Sequence, residues 1–373
     1  MGTLDPKSLE STKLDKLIST TSNAGSKPQL DTLINTHDFV TVASMTLTPK
    51  TWAFYSSAAT DLYTKTRNNS AYNDIGLRPR ILTNVKDVDT STTMLGQPMS
   101  VPIFCSPAAM AKMVHADGEK GLARGCKRMG VPQCVSTNAS YPIAEIFESV
   151  ADEEKYGEVN GEMPFFFQLY VDKQREKSEA LLRHVEALGV KAIFLTVDAP
   201  VAGKREADER ISADESLSTP MSGAIAKNDK KGGALGRIMG SYIDSSLSWA
   251  DIPWLRQSTK LPIVLKGVQT AMDAKKAMEL GINGILLSNH GGRCLDTSPA
   301  PILVLLELQK CCPEVFDKME VYVDGGIMRG TDIIKALCLG ATSVGIGRGF
   351  LFALNYGEEG VQKYIESKFS RSE

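Results

Sequence analysis

Residues 321–349 read VYVDGGIMRGTDIIKALCLGATSVGIGRG, and this stretch contains one complete structural repeat of the chain. A short apolar run, VYV, precedes an aspartate and two glycines. An amphipathic segment that ends in glycine follows, and then a second apolar run, SVGI. Continuous apolar runs indicate parallel strands buried on both faces, and glycine after good helix formers is typical of a helix C-terminus. The stretch therefore predicts strand, helix and strand, with a glycine-rich turn after each strand.

The same alternation extends towards the N-terminus. The runs interpreted as strands are VPIFCSPAA, VPQCVST, FFFQLYV, AIFLTVDA, LPIVLKGV, GILLSNH, VYVDGG and SVGIGRG, with helix-like segments such as REKSEALLRHVEALG between them. Eight such units over roughly 250 residues predict an α/β fold, a (β/α)8 TIM barrel. A doubly wound sheet is the alternative, but it rarely needs eight units, and no GxGxxG motif follows the first strand.

The rest of the chain suggests how the barrel is extended. Residues 1–28 are rich in Ser, Thr and Lys and predict a flexible tail, so residues 29–373 are expected to form a single domain. That domain begins with a helical extension. Residues 203–248, after the fourth strand, lack strong apolar patterning and include IAKNDKKGGALGR. Such a long loop is either a disordered insertion or an active-site lid.

Composition excludes several classes of protein. The 373 residues carry a net charge of −2, which gives no electrostatic case for binding nucleic acid or an anionic membrane. No apolar run is long enough to span a bilayer, and the N-terminus has no apolar core of a secretory signal. Seven cysteines, several within apolar runs and without zinc-like spacing, indicate reduced thiols and no metal site. A cytoplasmic protein is therefore expected.

Polar residues follow the predicted strands at their C-terminal ends, where barrels carry their chemistry. They are Gln168, Tyr170, Thr196, Asp198, Lys266, Ser288, Asn289, His290 and Asp324. Each residue alone is unremarkable. A lysine after a strand, for example, is usually a solvated end group. Their position at successive strand ends favours a shared site. The two glycine-rich turns after the last two strands, which contain Arg329 and Arg348, favour a phosphate-binding site.

Five motifs occur in a characteristic order: TVDAP, GKRE, LKGV, SNHGGRCLD and DGGIMRGTDIIKALCLGA. Together they resemble the FMN-dependent α-hydroxy acid oxidases and dehydrogenases, and the similarity runs from about residue 30 to about residue 355. The resemblance implies that the barrel domain binds FMN and oxidises an (S)-2-hydroxy acid to the 2-keto acid. It also implies a homo-oligomer, commonly a tetramer in this family.

The resemblance further implies roles for individual residues. His290 resembles the base that accepts the substrate proton, and Asp198 its carboxylate partner. Arg293 resembles the residue that binds the substrate carboxylate, a task suited to a planar set of donors. The remaining residues that resemble the family's substrate-binding set are Tyr55, Tyr170 and Arg205.

Lys266 resembles the lysine beside the flavin atoms that gain negative charge on reduction, so it is counted with both the catalytic and the flavin-binding residues. The other positions that match flavin contacts are Pro107, Ala108, Ala109, Ser136, Gln168, Thr196, Ser288, Asp324, Gly325, Gly326, Arg329, Gly347 and Arg348.

Several positions depart from the family's pattern. Met328 stands where an arginine is usual, which puts one phosphate contact in doubt. Ala108 replaces a common threonine, and Cys294 stands where glutamine is frequent. Asn138 and Ala202 occupy pocket positions normally filled by a large apolar group, which predicts a roomier and more polar substrate cavity. A biosynthetic tailoring oxidase that acts on a bulkier acid is therefore an alternative.

Two other functions stay open at this stage. A non-catalytic flavin-binding protein is suggested by Met328, although the set of His290, Asp198 and Arg293 is complete. A Schiff-base aldolase built on Lys266 would leave the histidine motif unexplained. The sequence shows no cytochrome domain, so oxygen is expected as the electron acceptor.

Overall fold

Eight parallel strands form a closed barrel in the computed structural model, which describes residues 27–152 and 163–369. The barrel strands are β1 (Ile103–Cys105), β2 (Gln133–Ser136), β3 (Phe165–Leu169), β4 (Ile193–Thr196), β5 (Ile263–Val268), β6 (Gly284–Leu287), β7 (Glu320–Asp324) and β8 (Ser343–Ile346). β8 pairs in parallel with β1, with Val344 opposite Ile103, which closes the ring. Each strand overlaps one predicted from the sequence, so the (β/α)8 prediction is confirmed.

The helices surround the barrel and precede it. Before β1 lie α1 (Thr36–Thr46), α2 (Pro49–Ser56) and α3 (Tyr63–Asn73), which form the predicted N-terminal extension. Between and after the strands lie α4 (Gly118–Arg128), α5 (Ile143–Glu148), α6 (Arg175–Ala187), α7 (Glu206–Glu209), α8 (Leu235–Ile238), α9 (Ile252–Ser258), α10 (Ala271–Glu279), α11 (Pro301–Cys311), α12 (Val315–Lys318), α13 (Gly330–Cys338), α14 (Arg348–Leu354) and α15 (Gly357–Phe369). Short 3₁₀ turns occupy Leu30–Thr32, Ala111–Met113, Trp249–Asp251 and His290–Gly292.

Local sequence explains where the first helices begin. The Asn35 side chain accepts hydrogen bonds from the backbone nitrogens at the start of α1. Thr48 caps α2 in the same way, and Pro49 occupies the first turn, where a missing N–H costs nothing. These caps fix the point at which α2 enters the barrel's rim, and α2 carries Tyr55 into the site.

An apolar floor fills the interior of the barrel. The ring of Phe194 on β4 lies 6.0 Å from that of Phe104 on β1 and 6.2 Å from that of Tyr322 on β7. These strands are not neighbours, so the rings meet inside the barrel. Met94 and Met99, from the antiparallel pair Thr92–Met94 and Gln97–Met99, are buried in the same cluster. These side chains fill the barrel towards the N-terminal ends of its strands. A cavity can therefore open at the C-terminal ends.

The loop at 203–248 is folded against the barrel. It contains α7, α8 and a small antiparallel pair, Ser218–Thr219 with Ala224–Ile225, and its Leu235 and Met239 are buried. The Lys50 ammonium of α2 contacts the Asp208 carboxylate at 2.5 Å and donates to three backbone carbonyl groups of the loop. The loop therefore packs against α2, whereas its action as a lid stays a prediction.

Two further predictions concern the ends of the chain and membranes. Residues 1–26 of the predicted tail lie outside the described residues. Within the ranges that the structure covers, no helix is both long and apolar enough to cross a bilayer.

Candidate active site

The strands position the polar side chains by their period of two. Interior apolar residues on seven strands are each followed, two positions later, by a polar residue that points to the same side of the sheet, one layer higher. The interior residues are Phe104, Cys134, Phe166, Phe194, Val264, Leu286 and Tyr322. The residues above them are Ser106, Ser136, Gln168, Thr196, Lys266, Ser288 and Asp324, all at most 8 % exposed. This layer forms the base of the site.

His290 is held between two partners. Its Nδ1 lies 2.9 Å from Asp198 Oδ1, and its Nε2 lies 3.3 Å from the Tyr170 hydroxyl. A carboxylate accepts only, so Nδ1 carries the proton of the neutral imidazole and Nε2 accepts from the tyrosine. This arrangement leaves the basic nitrogen on the cavity side of the ring.

Burial and the nearby Lys266 ammonium keep the His290 imidazole neutral. Burial and the nearby Lys266 ammonium lower the pKa of His290 to about 4, although Asp198 opposes them. Burial acts to raise the pKa of Asp198, but Lys266 and His290 together hold it below the usual range. The Lys266 ammonium lies 4.0 Å from Asp198 Oδ2. The site therefore combines a neutral base, a carboxylate and a buried cation.

The turn after β6 sets the direction of His290. The backbone of His290 is in the left-handed region at φ 59°, and the backbone N–H of His290 donates a hydrogen bond to the Ser288 hydroxyl. Gly292 also has a positive φ, 77°, and an added Cβ would lie 2.7 Å from the backbone nitrogen of Lys65. Glycine is therefore required there, because α3 packs directly on the turn.

Two half-buried arginines bind the end of α2. Arg293 Nη1 donates to the carbonyl groups of Phe54 and Tyr55, at 2.7 and 3.2 Å. Arg348 Nε donates to the same Tyr55 carbonyl at 2.9 Å. Burial and the neighbouring Arg205 and Arg348 lower the pKa of Arg293. Cations in such proximity favour the binding of an anion in the same cavity.

Across β2, β3 and β4 the polar side chains form a chain of hydrogen bonds. Ser136 Oγ donates to Gln168 Oε1 at 3.0 Å, and Gln168 Nε2 donates to Thr196 Oγ1 at 2.9 Å. The Tyr55 hydroxyl donates to the carbonyl oxygen of Ala109 at 2.8 Å. Polar groups fixed in this way can orient a ligand in the cavity.

A cavity of about 560 Å³ brings most of the predicted residues together, a size within the usual range for cofactor sites. The predicted residues that line it are Tyr55, Pro107, Ala108, Ala109, Ser136, Gln168, Tyr170, Thr196, Arg205, Lys266, His290, Arg293, Asp324, Gly325, Gly326, Gly347 and Arg348, together with Asn138, Ala202 and Met328.

Three residues to which the resemblance assigned a role lie outside this lining. Asp198 is buried behind His290, and Ser288 lies beneath the backbone of the same turn. Arg329 stands immediately before α13, where its backbone N–H donates to Asp332 Oδ2 at 2.9 Å. Asp198 and Ser288 therefore act on residues of the cavity, while Arg329 lies at a helix start behind Met328.

The sequence reasoning missed a group of lining residues on α3 and its approach: Leu62, Lys65, Thr66, Asn68 and Asn69. Four of them, at positions 62, 65, 66 and 69, have the spacing of one helix face, which was the available signal. Ser106 was also missed, although it follows the interior Phe104 by two residues.

Cys294 lies next to this site without lining the cavity. Its thiol, the His290 ring and the Asp198 carboxylate place one potential ligand atom each within 4.8 Å of one another. Burial and Asp198 raise the pKa of Cys294 to about 12, so the thiol is protonated. The Lys266 ammonium beside Asp198 opposes a second cation at this position.

The residues of the cavity suit a flavin mononucleotide. Asp324 Oδ1 is buried and has no hydrogen-bond partner among the described residues, as expected where a ligand's hydroxyl groups donate. An added Cβ on Gly326 would lie 2.0 Å from the Asn68 carbonyl oxygen, so this turn keeps a bare backbone near the cavity. Backbone of this kind, with Arg348 nearby, can approach a phosphate closely.

Comparison with known proteins agrees with this geometry. The family described as FMN-dependent dehydrogenase matches residues 43–368. The L-lactate dehydrogenase (cytochrome) of Saccharomyces cerevisiae is 46% identical over 345 residues, which cover 91% of this chain and 57% of the yeast protein. The human 2-hydroxyacid oxidase 1 is 38% identical and covers 90% of both chains. The recombinant flavin-binding domain of baker's yeast flavocytochrome b2 superposes with a TM-score of 0.79 at 42% identity, over 96% of this chain and 84% of that one.

The chain belongs to the FMN-dependent dehydrogenase family. FMN is accordingly its cofactor, and the resemblance expected from the motifs is confirmed. The chain spans 57% of the length of the Saccharomyces cerevisiae relative and 58% of the L-lactate dehydrogenase (cytochrome) of Wickerhamomyces anomalus, little more than half in each case.

Proposed function

We propose that the protein oxidises an (S)-2-hydroxy acid to the corresponding 2-keto acid. One observation carries this proposal: the neutral His290 imidazole, held by Asp198 at 2.9 Å, shares a cavity with Lys266 and Arg293. Bound FMN supplies the acceptor for the two electrons that leave the substrate. The chain's own residues must then bind the acid, orient it and remove a proton.

His290 Nε2 is the atom that accepts the proton. A pKa of about 4 keeps the imidazole unprotonated over the physiological range. When Nε2 takes the proton, the imidazolium has the fully buried Asp198 carboxylate 2.9 Å from Nδ1. The charge that forms is therefore paired at once, which lowers the barrier of the proton transfer.

Arg293 binds the substrate carboxylate. Its Nη1 is used by the carbonyl groups of Phe54 and Tyr55, which fixes the plane of the guanidinium. Nη2 has no acceptor among the described residues, and Arg293 lines the cavity. Arg205, whose Nε donates to the Arg293 carbonyl at 3.3 Å, and the Tyr170 hydroxyl complete the polar surroundings of the acid.

Lys266 would stabilise the negative charge that bound FMN gains on reduction. Burial acts to lower its pKa, but the carboxylates of Asp198 and Asp324 together raise it. A lysine held as an ammonium supplies positive charge and is a poor amine nucleophile, which disfavours a Schiff-base aldolase. The ion pair with Asp198 thus supports the flavin function over that alternative.

The substrate side chain meets a polar wall. Asn138 Oδ1 accepts a hydrogen bond from the Tyr242 hydroxyl at 3.1 Å, and the Asn138 amide nitrogen has no acceptor among the described residues. Ala202 lines the same cavity with a single methyl group. We therefore propose a substrate larger and more polar than lactate, in agreement with the roomier pocket expected from these two residues.

The decisive experiment is anaerobic reduction of the bound flavin. The purified protein should be yellow, and a suitable (S)-2-hydroxy acid should bleach the colour in the absence of oxygen. The His290→Gln variant should keep its FMN but bleach at least 100-fold more slowly, because one positioned base contributes about 10²–10⁴-fold. Bleaching at the normal rate would refute the assignment of the base. Protein that binds FMN but is bleached by no acid would be a non-catalytic flavin protein.

Oxygen as the electron acceptor remains a prediction. After anaerobic reduction, reoxidation by air and by cytochrome c can be timed in the same preparation. Faster reoxidation by cytochrome c than by air would contradict the prediction. A homo-oligomer is likewise proposed on the family resemblance, and the cytoplasmic location stays a prediction; sedimentation tests the first and cell fractionation the second.

A further inference from the structure

Helix α3 presents one face to the cavity. Leu62, Lys65, Thr66 and Asn69 line the cavity and follow one another at the spacing of a helix face. Asn69 Nδ2 donates to the Gly326 carbonyl at 2.9 Å, so this face is bound to the glycine turn after β7. The Lys65 ammonium is therefore carried by a helix whose position relative to that turn is fixed.

The same helix is bound to the turn after β6. The side chains of Asn68 and Asn289 exchange two hydrogen bonds, at 2.8 and 2.7 Å. Lys65 thus extends from a backbone that is held between the two turns. The point from which its cationic side chain reaches a ligand in the cavity is therefore fixed.

Lys65 has no anionic partner among the described residues. It makes no ion pair or side-chain hydrogen bond there, and no carboxylate perturbs its titration. Burial lowers the pKa of Lys65, and the nearby Arg348 and Arg293 lower it further. Lys65, Arg348 and Arg293 all line one cavity, and no carboxylate pairs with Lys65 among the described residues. This arrangement of positive charge indicates that an anion binds near them.

The part of the cavity beside Gly326 and Arg348, where the phosphate of FMN is expected, carries little positive charge. Met328 lines it with an uncharged side chain, at the position where the resembled family usually has arginine. Arg348 already donates to three backbone carbonyl groups, those of Tyr55, Gly291 and Ser57. At most two of its five N–H groups are therefore left for a dianionic phosphate.

We propose that Lys65 binds the phosphate of FMN and supplies the positive charge that Met328 does not. This proposal rests on FMN as the cofactor of the site. A flexible lysine stem suits the task, since a phosphate oxygen needs a point charge and no fixed plane of donors.

The test compares two flavins that differ only in the phosphate. Apoprotein is titrated with FMN and with riboflavin, and flavin fluorescence gives both dissociation constants. Lys65→Met should raise the Kd for FMN about 10- to 100-fold, as expected for one lost hydrogen bond to a charged group, and leave the Kd for riboflavin within twofold. Riboflavin binding also reports that the variant is folded.

Two further variants sharpen the result. Lys112→Met removes an exposed lysine that does not line the cavity and should change neither constant. Lys65→Met combined with Met328→Arg should recover most of the lost FMN affinity. An unchanged Kd for FMN in Lys65→Met would overturn the proposal, as would an equal loss for both flavins. Wild-type protein that fails to bind FMN would instead contradict the cofactor itself.

The substrate provides the remaining control. If Lys65 bound the acid instead, Lys65→Met would raise KM while the Kd for FMN stayed unchanged. That outcome would also overturn the phosphate assignment.

Discussion

Replacing Asp198 by asparagine removes the charge that the imidazolium needs while keeping the shape of the side chain. The carboxylate is fully buried and lies 2.9 Å from His290 Nδ1, so solvent cannot screen its loss. Breaking a buried charge pair costs about 3–5 kcal/mol, and each 1.36 kcal/mol corresponds to tenfold in rate. We therefore expect kcat/KM for the acid to fall about 10²- to 10⁴-fold. Because Asp198 lies outside the cavity lining, the affinity for FMN should change little.

The assay is stopped-flow bleaching of the flavin under anaerobic conditions, which follows the proton and electron transfer directly. A double-mutant cycle with His290→Gln gives the control, since Asp198→Asn should have almost no further effect once the base is absent. Two results would refute the reasoning. The first is a rate within threefold of wild type. The second is an equal loss in the His290→Gln background, because the carboxylate would then act through another group.

Three further outcomes are expected. Since His290 must be neutral and its pKa is lowered to about 4, kcat/KM should be flat above about pH 5 and fall as pH decreases through that pKa; a profile with its acid limb near pH 6.5 would contradict this. Asn138→Leu should shift the ratio of kcat/KM for glycerate over 2-hydroxybutyrate, two acids of similar size, about tenfold towards the apolar acid; an unchanged ratio would show that the amide does not contact the substrate. Gly292→Ala should lower the free energy of unfolding by about 1–3 kcal/mol, because the residue has φ 77° and its new Cβ would lie 2.7 Å from the Lys65 backbone. Denaturant melts measure this, and Gly76→Ala, where nothing lies within 4 Å, should show no comparable loss.

The barrel could be predicted because buried parallel strands leave a direct signal in the sequence. Each apolar run marked a strand, and polar residues at the strand ends, such as Gln168 and Lys266, marked the site. The two-residue period of side-chain direction along a strand also determines which of these residues share a layer. Asp324 therefore lies above Tyr322 for a reason that can be read without coordinates.

Other features depend on contacts between distant segments, which no local pattern reports. The residues of α3 itself that line the cavity beside Lys65 are polar, so this face lacks the apolar periodicity that identifies a buried helix face. The contact of Lys50 with Asp208 joins positions 158 residues apart. Arg329 lies in the DGGIMRG motif, from which a phosphate contact was expected. In the structure it immediately precedes α13, which begins at Gly330, and it lies outside the cavity lining.

The two-layer interior described above also constrains how such a protein can change. On seven strands one apolar residue of the floor and one polar residue of the site are only two positions apart. A single residue inserted ahead of both would turn both towards the surrounding helices at the same time, unless a bulge absorbed it, as occurs where Leu286 pairs with Lys266 and Leu287 with Val268. Point substitutions can therefore alter the chemistry while the floor keeps the barrel folded, whereas an insertion without a bulge damages both. Changes in length are expected mainly in the connections, and the long segment after β4 is the example that this chain provides.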